Sequence, residues 1–540
     1  IDMHCEVAIV GGGIAGLYAA DELTGRTEVG RVCLFEAEEE VGGRLKNARF
    51  NHVPDLAVGM GAWWFRVVPG MELNALVEDM VERLHVDLME FKQRGGMYSA
   101  RGVRVPSRDK RLLFGQLFAH VANSSALRED WSIVDICAYM ARESNLRDVW
   151  PRVPDNQHYV EQLFGIGGAE WYHVKRGWKQ FGNSVVSDVQ AILTDFRVTL
   201  FKKAFGADAW RDHVAEGVGT VLGGQSTVNA PVKGMWEFAR LLEERILGRG
   251  PRRASVFKGE PVASLSRGTD GKLVVRSSNR TVTAGRLLVG VPPAAFGRVR
   301  GSVARGIQAQ PQFKSVYSVP AFKAAAVYEE AWWEGLLEDM HYRSGFEHRF
   351  LALPCAVASG VGEKGERVLH TAFEIGEKAE WLRDTCDKGH DMFQVAMQRE
   401  LQDLFPEVHV PLALEVQCQF WESGWHAQKA HHPYERHDVF KWAKDPLPGA
   451  NDVFMIGEAY GEGSAWVEPA LQSAARVLEK VWGVPPRVRD RENFVWWGAT
   501  EEETLQYLRG LPTPEERAGA SDRRGEGGFD FDDDIGHLFT

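Results

Sequence analysis

No Cys-x-x-Cys pair occurs among the six cysteines, which sit at positions 5, 33, 137, 355, 386 and 418. The ligand spacing of a structural zinc site is therefore absent, and no metal is expected. Cys5 and Cys33 lie in or beside apolar strand-like runs and read as buried thiols. Basic excess is missing as well. Lys plus Arg number 63 against 75 Asp plus Glu, a formal net charge of −12. Nucleic-acid binders normally carry the opposite balance, which displaces counterions, so that class of partner is not expected. No apolar run approaches the ~18 to 20 residues that cross a bilayer. The chain opens at Ile1 with no initiator methionine or signal peptide. This reads as a processed or trimmed product and leaves the compartment open between cytoplasm and secretion. No internal repeat is found.

What is present is an ordinary folded composition with one anomaly. The 540 residues suit two or three domains around a large core, with 44% hydrophobic and 26% charged residues. Tryptophan is abundant: 18 residues, with adjacent pairs at Trp63–Trp64, Trp332–Trp333 and Trp496–Trp497. Indoles are large, and their N–H wants a partner when buried. Two readings stand: a tryptophan-rich core, or a flat aromatic pocket.

Residues 6–10 form a short apolar strand, followed at once by Gly11-Gly12-Gly13-Ile14-Ala15-Gly16. Leu17 to Leu23 reads as a helix, and Val32 to Phe35 as a second buried strand ending at Glu36. This βαβ unit implies a parallel sheet. In that context the glycine motif marks a dinucleotide site. Gly11 makes the tight turn, Gly13 admits the pyrophosphate, and Gly16 lets helix and strand pack closely. The helix N-terminus, at Ile14 and Ala15, offers N–H groups to phosphate. Glu36 stands at the distance of a ribose-binding acid, and its charge disfavours NADP. Gly42-Gly43-Arg44 then adds a second phosphate-type element. Another cofactor-like segment, Ile456-Gly457-Glu458 and Trp466 to Ala470, lies far down the chain. A cofactor held by both ends of the chain must be long, as FAD is.

Further helices are expected over 72–84, 234–247, near 388–404 and over 467–482. Strands are expected at 261–266, 272–277, 286–291 and 453–456. The stretch 86–224 reads as a mostly helical insertion. From about 513 the chain turns to Gly, Asp, Glu, Arg and Ser and reads as a disordered acidic tail.

These segments resemble the flavin-containing amine oxidase family, which includes monoamine oxidases and L-amino-acid oxidases. The matching runs are VAIVGGGIAGLYAADEL, FEAEEEVGGR, GMGAWWF, RLLVGVPPAAF, FKAAAVYEEAWW, FWESGWH and FMIGEAYGEGSAWVEPALQSA. Two of them, FKAAAVYEEAWW and the last, look closest to bacterial L-tryptophan oxidases. The resemblance implies an α/β fold: an FAD-binding Rossmann-like domain of the two-dinucleotide-binding type, a mixed-sheet substrate domain and a helical insertion. The expected FAD-binding domain is discontinuous, over 1–85, 225–300 and 450–485. The substrate domain would span 301–449, with a C-terminal extension over 486–540.

The resemblance also implies roles. Gly11, Gly13, Gly16, Glu36, Gly43 and Arg44 would hold the ADP half of FAD. Gly61, Ala62 and Trp63 would pass the flavin ring. Val262 would contact the adenine side, Gly457 and Glu458 the ribityl and pyrophosphate, and Val467 the pyrimidine edge. Lys323 matches a lysine that holds a water near flavin N5. Its apolar run makes that lysine costly to bury without a task. Trp466 would stand against the flavin face. Trp421 to Tyr434 contains no cysteine, so FAD would be bound non-covalently. In one place the pattern departs: Trp64 occupies the position of an arginine that clamps a substrate carboxylate in L-amino-acid oxidases. Arg66 could replace that clamp, or the substrate carries no free carboxylate. Trp425 could reach the pocket.

The implied activity is oxidative deamination of an L-amino acid, with aromatic ones favoured, by O₂ to an imine or keto acid and H₂O₂. Alternatives are an amine oxidase, a flavin monooxygenase or desaturase, and a non-catalytic flavoprotein. Partners would be small molecules, with homodimerisation left open.

Overall fold

The computed structural model describes residues 3–67, 74–91, 96–100, 103–106, 227–336, 341–344, 355–356, 361–428, 434, 436–463 and 466–489. Most of the expected helical insertion, Cys137 and the acidic tail lie outside them.

Strand β1 (Met3–Val10) leads into helix α1 (Ile14–Thr24) and strand β2 (Val32–Phe35). Helices α2 (Ala75–Arg83) and α3 (Trp236–Gly248) follow. Next come β3 (Ala254–Phe257), β4 (Val262–Arg267), β5 (Leu273–Ser277) and β6 (Thr281–Val289). The long strand β7 (Val316–Tyr328) is followed by β8 (Arg367–Ile375), α4 (Gly376–Lys388) and α5 (His390–Leu404). Strand β9 (Glu415–Gln428), strand β10 (Val453–Met455) and helix α6 (Val467–Trp482) complete the set.

One seven-stranded sheet has the order β3-β2-β1-β6-β5-β4, with β10 also beside β6. Strands β3, β2, β1, β6 and β10 pair in parallel, while β4 and β5 are antiparallel. Parallel strands are buried on both faces, which is why Val7 to Val10 and Val32 to Phe35 are continuous apolar runs. Helices α1, α3 and α6 cover one face through Leu17, Phe238, Leu242, Leu471 and Leu478. Gly483 ends α6 in the left-handed conformation, at φ 63°.

A second seven-stranded sheet is built on β9-β7-β8, antiparallel throughout that trio. Strand β7 sorts its side chains by the two-residue period of a strand. Phe322, Ala324, Ala326 and Tyr328 pack against Leu382, Phe393, Met397 and Leu401 of α4 and α5. Ala325 and Val327 face Phe50, Val58 and Met60 of the first sheet's long loop. Ala321 faces Trp425 and Ile375 on the same side. Lys323 falls on this loop-facing side, between the two clusters.

The structure adds to or corrects the sequence reading at three places. Residues 88–91, 96–100 and 103–106 are strands, although 86–224 reads as mostly helical. Residues 88–91 pair with the distant segment 227–231 and 96–100 with 341–344, while 96–100 and 103–106 pair with each other as a local hairpin. Cys5 and Cys33 are not free thiols but a disulfide. They lie on neighbouring parallel strands, on one face of the sheet, with Cα atoms 5.9 Å apart. A second disulfide, Cys386–Cys418, ties α4 to β9. Finally, α5 is preceded by a separate helix, α4, divided from it at Gly389.

Candidate active site

The glycines of the first loop divide by what a side chain would meet. Gly11 has φ +104°, and a Cβ there would lie 2.6 Å from the Gly290 carbonyl oxygen. A Cβ on Gly16 would lie 2.0 Å from the Gly11 carbonyl oxygen. These two close the strand–helix turn. Gly13 is different: a Cβ there meets nothing within 4 Å. Gly457, at φ +111°, also opens onto space. No side chain caps α1 at Gly13, so the helix N-terminus is left to an anion. A cradle that a methyl group would fill, at a helix N-terminus, fits a pyrophosphate. Ile14 and Ala15 are buried in the first turn of α1.

Glu36 stands at the end of β2 and is buried. Its Oε2 accepts the Gly12 N–H at 2.8 Å and its Oε1 the Glu38 N–H at 2.9 Å. Burial raises its pKa, although these N–H bonds oppose the rise. Gly42 donates its N–H to the Gly12 carbonyl at 2.8 Å, which brings Gly43 and Arg44 beside the phosphate loop. Arg44 Nη1 donates to Glu458 Oε2 at 2.9 Å and to the Gly424 carbonyl at 2.8 Å. So residues 380 and 414 positions apart meet. His426 completes this cluster, with Nδ1 2.6 Å from Glu458 Oε2. Burial opposes ionisation of Glu458, yet His426, Arg44 and Arg436 outweigh it and hold the carboxyl well below its usual range. Burial also lowers the His426 pKa.

The third group lies between the long loop and the second sheet. Gly61 packs so tightly that a Cβ would lie 1.7 Å from the Arg44 carbonyl oxygen, and Ala62 donates its N–H to that oxygen at 2.9 Å. Lys323, 8% exposed, donates from Nζ to the Gly61 carbonyl at 2.7 Å. The same ammonium lies 4.8 Å from the Phe373 ring centroid and 5.4 Å from that of Trp63. Such contacts stabilise a desolvated cation. Trp63 stacks on Trp64 at 4.4 Å and packs, tilted, against His370 at 4.2 Å. Phe373 meets Trp425 edge-on at 6.2 Å. Trp421 donates its indole N–H to the Met60 carbonyl at 2.8 Å. The result is one buried cation inside an aromatic wall.

The remaining expected residues are placed as follows. Trp466 is half-buried at the N-cap of α6, and Val467 is buried as its first residue. Val262 is half-buried at the start of β4, pairing with Ser277. Arg66 lies in a strand over Phe65–Val67, paired with Val228; its side chain is outside the described residues. His370 and Phe373 carry no motif and escape sequence reading, while His426 ends the FWESGWH run, which assigns it no role. Among the described residues no helix is long and apolar enough to cross a membrane, and no cluster of His, Cys, Asp and Glu could hold a metal ion.

The model of flavin-containing amine oxidoreductases matches residues 14–481. The chain belongs to that family. The family is one of oxidoreductases and implies a flavin cofactor. A search of curated proteins finds no match. Among solved structures, the chain is similar to a protein described as a protoporphyrinogen oxidase from Exiguobacterium sp. 255-15. The TM-score is 0.60 and the identity 16%, covering 88% of this chain and 98% of that one. A triple mutant of putrescine oxidase gives a TM-score of 0.56 at 16% identity, covering 89% and 99%. Wild-type putrescine oxidase bound to putrescine gives 0.51 at 15% identity, covering 89% and 99%. At these identities the likeness speaks for the fold: a Rossmann-like α/β domain with a substrate domain.

Proposed function

We propose that the protein is an FAD-dependent oxidase that removes hydride from a carbon bearing an amine, with an aromatic L-amino acid as substrate and O₂ as acceptor. The products are an imine, hydrolysed to a keto acid, and H₂O₂. The observation that carries this reading is the Lys323 ammonium, buried on an apolar strand, bonded to the Gly61 carbonyl and faced by the Trp63 and Phe373 rings. Burying a charge there is costly unless it acts on something in the site.

FAD, once bound, supplies the hydride-accepting chemistry. The chain's residues hold and shield it. Gly13, the α1 N-terminus, Gly43 and Gly457 give room and N–H groups to the pyrophosphate, Glu36 takes the ribose, and Val262 borders the adenine. Arg44 and Glu458 join the two ends of the chain around the cofactor. Gly61, Ala62 and Trp63 run past the ring, and Val467 borders its pyrimidine edge. Strand β9 has no cysteine after Cys418, which supports non-covalent binding. Lys323 orders water beside the ring. Trp63, Trp64, Trp425 and Trp466 form the substrate wall. An apolar wall excludes water and favours the uncharged amine, the form that can lose hydride.

Trp64 favours a second reading. It stacks on Trp63 where L-amino-acid oxidases carry a carboxylate-binding arginine, so an amine without a carboxylate also fits. A peroxide assay of FAD-loaded protein against L-amino acids, D-amino acids and primary amines separates the two. Peroxide from L-tryptophan or L-phenylalanine, abolished by Arg66→Ala, supports the first. Peroxide from amines alone replaces it with the second. A flavin that none of these compounds bleaches without oxygen sinks both.

A further inference from the structure

His370 belongs to no motif, yet it sits in the middle of the site. It lies on β8 opposite Ala325 of β7, on the same face as Lys323 two residues earlier. It is 2% exposed. Its ring packs on one side of the Trp63 indole, with centroids 4.2 Å apart and planes 39° apart. Trp64 packs on Trp63 at 4.4 Å and 26°. Trp63 thus touches three groups: His370, Trp64 and the Lys323 ammonium.

What holds this imidazole is the packing of its ring. His370 Nε2 is buried and has no hydrogen-bond partner among the described residues. A buried polar atom without a partner costs free energy, so the position is not held by hydrogen bonding through that atom. Burial, and after it the Lys323 charge, lower the imidazole pKa well below its ordinary value. The ring is therefore neutral at neutral pH and does not repel the lysine. A neutral ring tilted against an indole at this distance contributes through close aromatic packing.

We propose that His370 is a positioning residue: from the second sheet it fixes the Trp63 indole, and through it Trp64, so that the pair presents a preformed aromatic face to an aromatic substrate. The proposal rests on the reading of this loop as the substrate wall. The loop carrying Trp63 and Trp64 leads into the short strand Phe65–Val67, and β8 is part of a different sheet. The column His370–Trp63–Trp64 therefore ties the wall to the rigid sheet that also carries Lys323. A wall fixed before binding costs the ligand less ordering entropy.

Two measurements on FAD-loaded protein test this. Stacked indoles give an exciton couplet in circular dichroism, and the difference spectrum between wild type and Trp64→Phe isolates that of the Trp63–Trp64 pair. His370→Ala is expected to lose most of the couplet, and His370→Phe, which keeps a ring, to retain it. Indole, a non-reacting aromatic probe, is then titrated against the flavin absorbance band. Its affinity is expected to fall about three- to tenfold in His370→Ala, the factor one aromatic contact supplies, and to recover in His370→Phe. An unchanged couplet in His370→Ala overturns the proposal. So does a His370→Phe protein that behaves like His370→Ala, because a nitrogen atom would then be the working group. If indole leaves the wild-type spectrum unmoved, the aromatic-substrate reading fails, while the couplet still decides the role of His370.

Discussion

His426 Nδ1 lies 2.6 Å from Glu458 Oε2, and the same oxygen accepts Arg44 Nη1 at 2.9 Å. This carboxylate joins three segments: the Gly-Gly-Arg loop, the end of β9 and the turn after β10. Strand β9 carries Trp421 and Trp425, so the cofactor end and the aromatic end of the site share one ionic link. Replacing Glu458 by Gln removes the charge but leaves the half-buried Arg44 and Arg436 beside it. Losing a charge-assisted hydrogen bond of this kind costs about 1.5 to 3 kcal/mol. The expected result is a lower Tm together with weaker FAD binding, read by thermal unfolding with and without FAD.

Lys323→Met separates activity from stability. Methionine fills similar volume without a charge to bury, so the melting temperature is expected to hold or rise. The peroxide-forming rate is expected to fall by about 10²-fold, the scale of losing one positioned polar group at a reacting centre. A variant as active as the wild type would remove Lys323 from the mechanism.

Two glycines three positions apart are expected to fail in different ways. Gly16→Ala drives a Cβ to 2.0 Å from a backbone oxygen that cannot move aside. That protein is expected to lose the fold or most of its stability. Gly13→Ala meets no atom within 4 Å, and Gly13 has an ordinary negative φ of −70°. Its apoprotein is expected to melt with the wild type. The added methyl enters the space read as the pyrophosphate's, and FAD affinity is expected to drop about tenfold or more, read by flavin fluorescence titration.

Glu468 provides a pH prediction. It is fully buried and accepts the N–H groups of Leu76 and Val77 at the start of α2, at 3.2 and 3.0 Å. Burial raises its pKa to about 7 from 4.5, against these bonds and that of Gln472. A raised carboxyl means that the folded state binds the proton more tightly than the unfolded chain. Stability is therefore expected to fall as pH rises from about 4.5 to about 7, by roughly 3 kcal/mol in total. Glu468→Gln removes this slope, and above pH 7 it is expected to be at least as stable as wild type by urea unfolding. A wild-type slope retained in the glutamine variant would contradict the assignment.

Local grammar accounts for much of the nucleotide half. Strand, glycine turn, helix and second strand lie within 35 residues, and each is recognisable from its own periodicity. Helix α6 matches its expected span of 467–482. Such elements are determined by short-range sterics and by apolar faces that any partner surface can cover. The features that the sequence did not reveal share the opposite property. The strands at 88–91 and 96–100 pair with 227–231 and 341–344, and nothing nearby specifies those partners. The Cys5–Cys33 bond likewise follows from strand adjacency and not from spacing.

The candidate site shows the same division. Gly11, Gly13, Gly16, Glu36, Arg44, Lys323 and Glu458 are legible because each residue type announces its chemistry within a motif. His370 and Phe373 are ordinary members of a strand, and their neighbours are visible only once β7 and β8 are side by side. The sequence by itself determined the βαβ unit and its glycine turn. Only the tertiary structure decided that Arg44 meets Glu458 and His426, and that Lys323 is enclosed by Trp63 and Phe373 beside His370. The reason is physical: a glycine turn is a property of a few consecutive dihedral angles. A buried cation in an aromatic wall is a property of surfaces brought together by burial across hundreds of residues.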